Sequence, residues 1–339
     1  MQYNVGMYGG SFNPLHMGHV DCIIRAASMC RELYIVLCIG QNRKEIDSRV
    51  RYRWLYQLTK HIGNVTIITI SDDAETKAAY SRDCWQSDAD KVKAQIGKNI
   101  DVVFCGSDYG TDSFWNVCYP DSALYIFPRN GINSTEIRSD PYAHWDWLPN
   151  VVRPYYVKKV LIMGGESTGK STLTINLANR FNTDFIDEAG RELSERSGTD
   201  RLMLSGDFTE ILLTHKLNEI RAVEHSNKLL FIDTDTLVTQ FYMHFLDDPD
   251  IAKNKALSDA IDAINAYDLI LFLEPDVAFV QDGDRSEVIR NDRVKYSEQI
   301  KEIIRSHGKC FVAIGGTYEE RYNAALNEVK KLLDAEKGS

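Results

Sequence analysis

In the N-terminal half, short runs of branched and aromatic residues alternate with stretches whose apolar positions recur at helical spacing. Strands are expected at Asn4 to Tyr8, Leu33 to Ile39, Val65 to Ile70, Val102 to Cys105 and Leu124 to Phe127. Helices are expected at His19 to Arg31, Arg49 to His61 and Asp83 to Ile96. A strand–helix alternation of this kind predicts a parallel sheet covered on both faces. Gly131 to Pro141 reads as a loop, and an aromatic, proline-containing bridge follows from Tyr142 to Tyr156. A second series then begins, with strands expected at Lys159 to Met163, Phe185-Ile186, Leu229 to Ile232, Leu269 to Leu273 and Phe311 to Ile314. The expectation is an α/β protein of two domains, residues 1–141 and 157–339, joined by a linker at 142–156.

Length agrees, since 339 residues suit two cores better than one. The 49 acids outweigh 39 bases for a formal charge of −10, which argues against a surface that tracks nucleic acid. The seven cysteines form no C-x-x-C pair, so neither a disulfide framework nor a zinc site is indicated. No signal peptide and no run of 18 apolar residues occurs. Together these features predict a soluble, cytoplasmic protein with no membrane or nucleic-acid partner. They leave homo-oligomerisation open.

Two motifs bear chemistry. The first is Gly9-Gly10-Ser11-Phe12-Asn13-Pro14 followed by His16-Met17-Gly18-His19. Glycines at a strand end let phosphate approach backbone N–H groups, and a helix opening there aims its positive end at the same point. Imidazole donors on His16 and His19 suit charge developing on an α-phosphate and its pyrophosphate leaving group. The plainer alternative is that the two histidines cap or pack the helix. Ile132-Asn133-Ser134-Thr135-Glu136-Ile137-Arg138 offers hydroxyls and a guanidinium for a second anion clamp.

The second is Gly164-Gly165-Glu166-Ser167-Thr168-Gly169-Lys170-Ser171, a Walker A loop placed between an expected strand and an expected helix. Backbone N–H groups from Gly165 to Lys170 should cradle the β-phosphate of ATP, Lys170 should bridge the β- and γ-phosphates, and Ser171 should hold Mg²⁺. Asp233 ends an apolar run at the Walker B position and joins Ser171 as a metal ligand. Asp187, Glu188 and Arg191 follow the second expected strand, where open sheets collect substrate. Glu188 there can take the proton of an attacking hydroxyl; the competing reading is an acidic first helical turn. Asp282 to Arg293 carries Arg285 and Arg293, either a lid over the phosphates or a solvated loop.

The first motif pair resembles the nucleotidyltransferase superfamily signatures G-G-x-F-x-P-x-H-x-G-H and I-S-x-T-x-I-R, with Asn133 in place of the usual Ser. That resemblance implies ATP binding by Gly9, Gly10, Ser11, Phe12, His16, His19, Ser134, Thr135 and Arg138. Trp85, within Asp83-Cys84-Trp85-Gln86, resembles the tryptophan that stacks nicotinamide in archaeal and NadR-type adenylyltransferases of nicotinamide mononucleotide (NMN). The run Arg49-Val50-Arg51-Tyr52-Arg53-Trp54-Leu55 resembles that family's R-x-R-W-L helix, though Arg49 and Arg51 read equally well as a solvated face. Gly164 to Thr172, Glu188 with Gly190-Arg191-Glu192, Phe231 to Asp235, and Asp282-Gly283 with Arg285 and Arg293 resemble the ribosylnicotinamide kinase domain of NadR proteins, as the bridge resembles their linker.

The family resemblance therefore covers both domains in order. It implies a Rossmann-like nucleotidyltransferase domain followed by a P-loop kinase domain, with NMN bound by Trp85 and Asn13 and nicotinamide riboside by Glu188, Arg191 and Asp235. The implied reactions phosphorylate nicotinamide riboside to NMN and join NMN to AMP from ATP, giving NAD. Enterobacterial NadR carries an N-terminal helix-turn-helix, whereas this chain enters its first strand by Asn4, so the resemblance implies the two enzymes without the repressor module. The alternatives are a phosphopantetheine adenylyltransferase joined to a dephospho-CoA kinase, and an NAD-sensing regulator with weak adenylyltransferase activity.

Overall fold

Each half of the chain forms a five-stranded, all-parallel sheet in the computed structural model, which describes residues 1–76, 81–106, 114–128, 131–190, 203–281 and 286–335. The chain divides into two units, Met1–Arg153 and Pro154–Ser339.

In the first unit the elements are β1 (Tyr3–Gly10), α1 (Met17–Met29), β2 (Cys30–Gly40), α2 (Ser48–Thr59), β3 (Val65–Asp72), α3 (Arg82–Ile96), β4 (Val102–Gly106), α4 (Phe114–Cys118), β5 (Ala123–Phe127) and α5 (Ser134–Ser139). The strand order is β3-β2-β1-β4-β5, so β1 lies between β2 and β4 with Gly6 to Tyr8 facing Val102 to Phe104 in register. Connections leave β1 and β4 toward opposite sheet edges, which opens a crevice at their C-terminal ends, where doubly wound sheets bind ligands. Met7, Leu33, Ile35, Leu37, Val102 and Phe104 are almost fully buried in these strands, as runs covered on both faces require.

The bridge expected as a linker is packed structure for much of its length. Tyr142, Trp145, Leu148 and Val152 are buried, and the division between units falls at Arg153–Pro154, inside the bridge. Arg153 stands over the Trp145 ring and donates to Leu148 O.

The second unit contains β6 (Lys158–Gly164), α6 (Lys170–Phe181), β7 (Phe185–Ile186), α7 (Ser205–Ala222), β8 (Leu229–Asp233), α8 (Thr236–Phe245), α9 (Ile251–Ile264), β9 (Leu269–Leu273), α10 (Glu287–Asn291), α11 (Arg293–Ser306), β10 (Val312–Ile314) and α12 (Tyr318–Asp334). Its order, β10-β9-β6-β8-β7, again puts the strand that feeds the glycine loop at the centre. Among the described residues no disulfide forms, and no helix is long and apolar enough to cross a membrane.

Candidate active sites

The first site is built at the end of β1. Phe12 turns the chain through a left-handed φ of 47° with its ring buried, and the Asn13–Pro14 peptide is cis. His16 then caps α1. Its Nδ1 accepts the His19 main-chain N–H, and His19 Nδ1 accepts the His16 N–H in return. The two rings stack with centroids 3.7 Å apart at 19°. With both Nδ1 atoms accepting, each neutral ring carries its proton on Nε2. Burial, then the His16 charge, holds the His19 pKa well below its ordinary value. The capping and catalytic readings of these histidines are therefore not exclusive, because the caps fix which nitrogen remains a donor.

The second motif reaches the same loop. Ser134 Oγ donates to Pro14 O at 3.2 Å, and the Arg138 guanidinium spans Asn13 O and Thr135 Oγ1. Asn133, where the family pattern has Ser, caps α5 by accepting the Glu136 N–H at 2.9 Å. Asn and Ser are comparable caps, so the substitution keeps that contact. Asn13 is buried, and its Oδ1 accepts the Ile46 N–H at 3.1 Å.

The solvated-face reading of Arg49 and Arg51 holds for Arg49, which is exposed and paired with Asp47, and fails for Arg51. Arg51 is 1% exposed and donates to Ser11 O at 2.6 Å, Ile46 O at 2.8 Å and Cys38 O at 3.3 Å, with Glu45 as its counter-charge at 2.9 Å. It thereby pins the glycine loop to the end of β2 and to the segment before α2.

Trp85 is half-buried on α3 and meets the edge of Trp115 at 5.0 Å and 82°. Trp115 is buried over Gly9, where an added Cβ would come within 3.3 Å of its ring. Trp115 is not among the residues the sequence motifs single out; its one local signal is a second tryptophan just beyond β4.

At the second site, Gly164 leaves β6 with φ 149°, and a Cβ there would sit 2.8 Å from Leu273 O and 2.9 Å from Thr168 Oγ1. Only glycine fits. Ser167 (φ 56°) and Gly169 (φ 86°) continue the wrap into α6. Lys170 is buried, with Nζ on Gly165 O at 3.1 Å. Asp233 is fully buried; burial raises its pKa, the Lys170 charge opposes the rise, Glu188 adds to it, and the Ser171 and Thr234 hydroxyls hydrogen-bond to it. Lys170, Ser171, Glu188 and Asp233 are thus gathered at one point, and Asp233 Oδ2 has no hydrogen-bond partner among the described residues. Thr172 is exposed on α6, and Asp187 is more exposed than Glu188.

Several expected phosphate or substrate contacts have other work. Glu166 accepts from the Tyr242 hydroxyl and the Ser286 N–H, and Ser167 Oγ accepts the Val280 N–H at 2.8 Å. Arg293 donates to Val277 O and Ser167 O and lies over the Phe279 ring, so it braces the segment after β9 against the loop. Asp235 is 2% exposed and caps α8 by accepting the Leu237 N–H; burial pushes its pKa up to about 7. Arg191 and Arg285 lie outside the described residues. The sequence reading also missed Arg321, which is buried and donates to Thr168 O, Gly316 O and Glu274 O. It missed His215 too, which is buried against the Asp233 main chain with Glu188 nearby.

Comparison with known proteins matches this layout. A cytidylyltransferase-like family model fits residues 7–140, and an AAA domain model fits residues 159–321. The trifunctional NAD biosynthesis/regulator protein NadR of Escherichia coli (strain K12) is 29% identical over 345 residues, 97% of this chain and 83% of its own length. The protein of the same name from Salmonella typhimurium (strain LT2) is 29% identical over 348 residues, 98% of this chain and 84% of its own. The chain is similar to these NadR proteins over nearly its whole length. A crystal structure of NadR protein in complex with NR superposes at a TM-score of 0.80 with 21% identity, covering 97% of this chain and 96% of that one; at that identity it shows the shared fold. The phosphopantetheine adenylyltransferase of Mycoplasma capricolum subsp. capricolum is 30% identical over 136 residues, 97% of its own length but 36% of this chain. That likeness covers less of the chain than the NadR match, which runs through both nucleotide loops.

Proposed function

We propose that this chain makes NAD from nicotinamide riboside in two ATP-dependent steps, in the cytoplasm. The observation that carries the proposal is the presence, in one NadR-type chain, of two separately built nucleotide loops, one ending in paired imidazole donors and the other in buried Lys170 and Asp233 with half-buried Ser171 and Glu188 beside them.

In the second unit, Lys170 holds the β- and γ-phosphates of ATP. Glu188 takes the proton of the riboside 5′-hydroxyl as that oxygen attacks the γ-phosphorus and ADP leaves. Ser171 Oγ and the unpartnered Asp233 Oδ2 suit an oxygen-seeking cation, and Mg²⁺ bound there would neutralise phosphate charge. In the first unit, a phosphate oxygen of NMN attacks the α-phosphorus of ATP and pyrophosphate departs. That oxygen is ionised at neutral pH, so no general base is required. The His16 and His19 Nε2–H groups and the Arg138 guanidinium hold the charge that shifts onto the phosphates. Trp85, propped by Trp115, stacks the nicotinamide ring.

The experiment is product chromatography after incubating the chain with nicotinamide riboside, ATP and Mg²⁺. NAD should appear through NMN. The likeness of the first unit to phosphopantetheine adenylyltransferase favours one competing reading, so phosphopantetheine is offered in parallel. Its conversion without NMN conversion would overturn the nicotinamide assignment.

A further inference from the structure

The sheet of the second unit gives a nucleotide in its glycine loop a direction. β6, which feeds the loop, lies between β8 and β9. Asp233 ends β8 and Glu188 follows β7 beyond it. Where the second unit acts as a kinase, the reading on which this inference rests, the γ-phosphate therefore lies on the β8–β7 side. The nucleoside end of ATP then leaves the loop on the opposite side, toward β9 and β10. Backbone N–H groups and Lys170 grip the phosphates of any nucleotide alike, so a contact to the base has to come from that other side.

The turn after β10 carries an aromatic ring there. Tyr318 opens α12 and is 54% exposed, yet its ring lies against the loop: a Cβ added at Gly169 would come within 3.0 Å of Tyr318 Cε1. Gly169 immediately precedes Lys170, so the ring borders the phosphate cradle. The backbone beneath it is fixed. Gly316 turns with φ 93°, and its N–H donates to Asp276 Oδ2 at 2.7 Å. Thr317 caps α12 by accepting the Glu320 N–H at 3.3 Å, while the Glu320 carboxylate accepts the Thr317 N–H at 2.8 Å. The buried Arg321 donates to Gly316 O at 2.8 Å, to Glu274 O at 2.7 Å and to Thr168 O, and pairs with Asp276. One guanidinium thus ties the turn that holds Tyr318 to the residue before Gly169, and the ring keeps its station beside the loop.

A tyrosine ring held in place but open to solvent suits a flat partner, and stacking it on a purine removes both faces from water. We infer that Tyr318 stacks on the adenine ring of ATP bound in the glycine loop of the second unit.

The test is calorimetric binding, to the full chain with Mg²⁺, of ADP, which neither forward reaction consumes, and of inorganic tripolyphosphate, which has the phosphates without a base. The portion of binding lost in Lys170→Ala belongs to the loop of the second unit. Tyr318→Ala should weaken ADP at that loop by roughly tenfold, the scale of removing an aromatic partner from a base, and leave tripolyphosphate unchanged. Tyr318→Phe keeps the ring and should bind ADP as the wild type does. Unchanged ADP affinity in Tyr318→Ala would overturn the inference. So would equal weakening of ADP and tripolyphosphate, since the ring would then only shape the loop. The kinase reading is tested apart, by ADP release from nicotinamide riboside and ATP. A wild-type chain without that release, in which Tyr318→Ala still weakens ADP alone, would lose the kinase reading and keep the base contact.

Discussion

His16 and His19 cap each other: each main-chain N–H is held by the other residue's Nδ1, at 3.3 and 3.4 Å, and the rings stack. The cap that starts α1 also fixes the tautomer that presents two Nε2–H donors to phosphate. His19→Ala should cut adenylyltransferase kcat by about 10²–10³-fold, the scale of losing one donor to developing charge. Kinase activity should persist; loss of both activities would refute independent sites.

The same pair sets a pH dependence. The His19 pKa in the folded chain lies below its ordinary value of 6.5, so the unfolded chain takes up the proton first as pH falls. The contribution to stability is whole above about pH 6.5 and declines below it, toward the folded pKa. Thermal scans of the wild type and His19→Asn between pH 8 and pH 5 should show the wild type losing more on acidification.

Arg51 and Arg49 are two residues apart and opposite in consequence. Removing one partner of a buried ion pair costs about 3–5 kcal/mol, so Arg51→Met should lower the first unit's stability strongly and raise the KM for ATP in adenylyl transfer. Arg51→Lys keeps the charge but cannot reach three carbonyls at once and should rescue only part of the loss. Arg49→Ala should leave both quantities unchanged. Equal effects of the Arg49 and Arg51 changes would contradict the buried placement.

That contrast shows what the sequence could carry. The strand runs, the two nucleotide loops and the parallel sheets were legible because periodicity and motif spacing are local properties. Which arginine of Arg49-Val50-Arg51 turns inward depends on where Ser11 and Cys38 lie in the folded sheet, and no local pattern encodes that. Asp235 has the right residue type beside Asp233 for substrate binding; that its Oδ1 also caps α8 while its buried Oδ2 has no hydrogen-bond partner among the described residues is a feature of the fold that the residue type alone does not carry. Arg321 reaches Thr168 across more than 150 residues. The bridge at 142–156 read as a linker because its turns break periodicity, while its buried aromatics are recognisable only once packed.

Burial of Asp233 makes a function-for-stability exchange testable. Its folded pKa lies above the ordinary 3.8, so the unfolded chain releases this proton first and the group's contribution to stability falls as pH rises from there through the folded pKa. At pH 7.5, Asp233→Asn should therefore raise the thermal transition of the ligand-free second unit and abolish kinase activity. A lowered transition would show that the carboxylate is satisfied by partners in the folded chain.

Trp115 touches Trp85 through its edge, a contact worth about 0.5–1.5 kcal/mol. Trp115→Leu should raise the KM for NMN roughly three- to tenfold on that scale while leaving the KM for ATP unchanged. A selective rise in the KM for ATP would place Trp115 against the adenine side instead.

On this mechanism one chain uses ATP twice, which gives up its terminal phosphoryl group at one site and its adenylyl group at the other. Isotope tracing tests it most directly. NAD formed from nicotinamide riboside in the presence of ATP labelled at the γ-phosphate, then split by a pyrophosphatase, should yield labelled NMN and unlabelled AMP. ATP labelled at the α-phosphate should give the reverse. NAD with no γ-derived label, or label confined to one half whichever ATP is supplied, would contradict two sites acting in sequence.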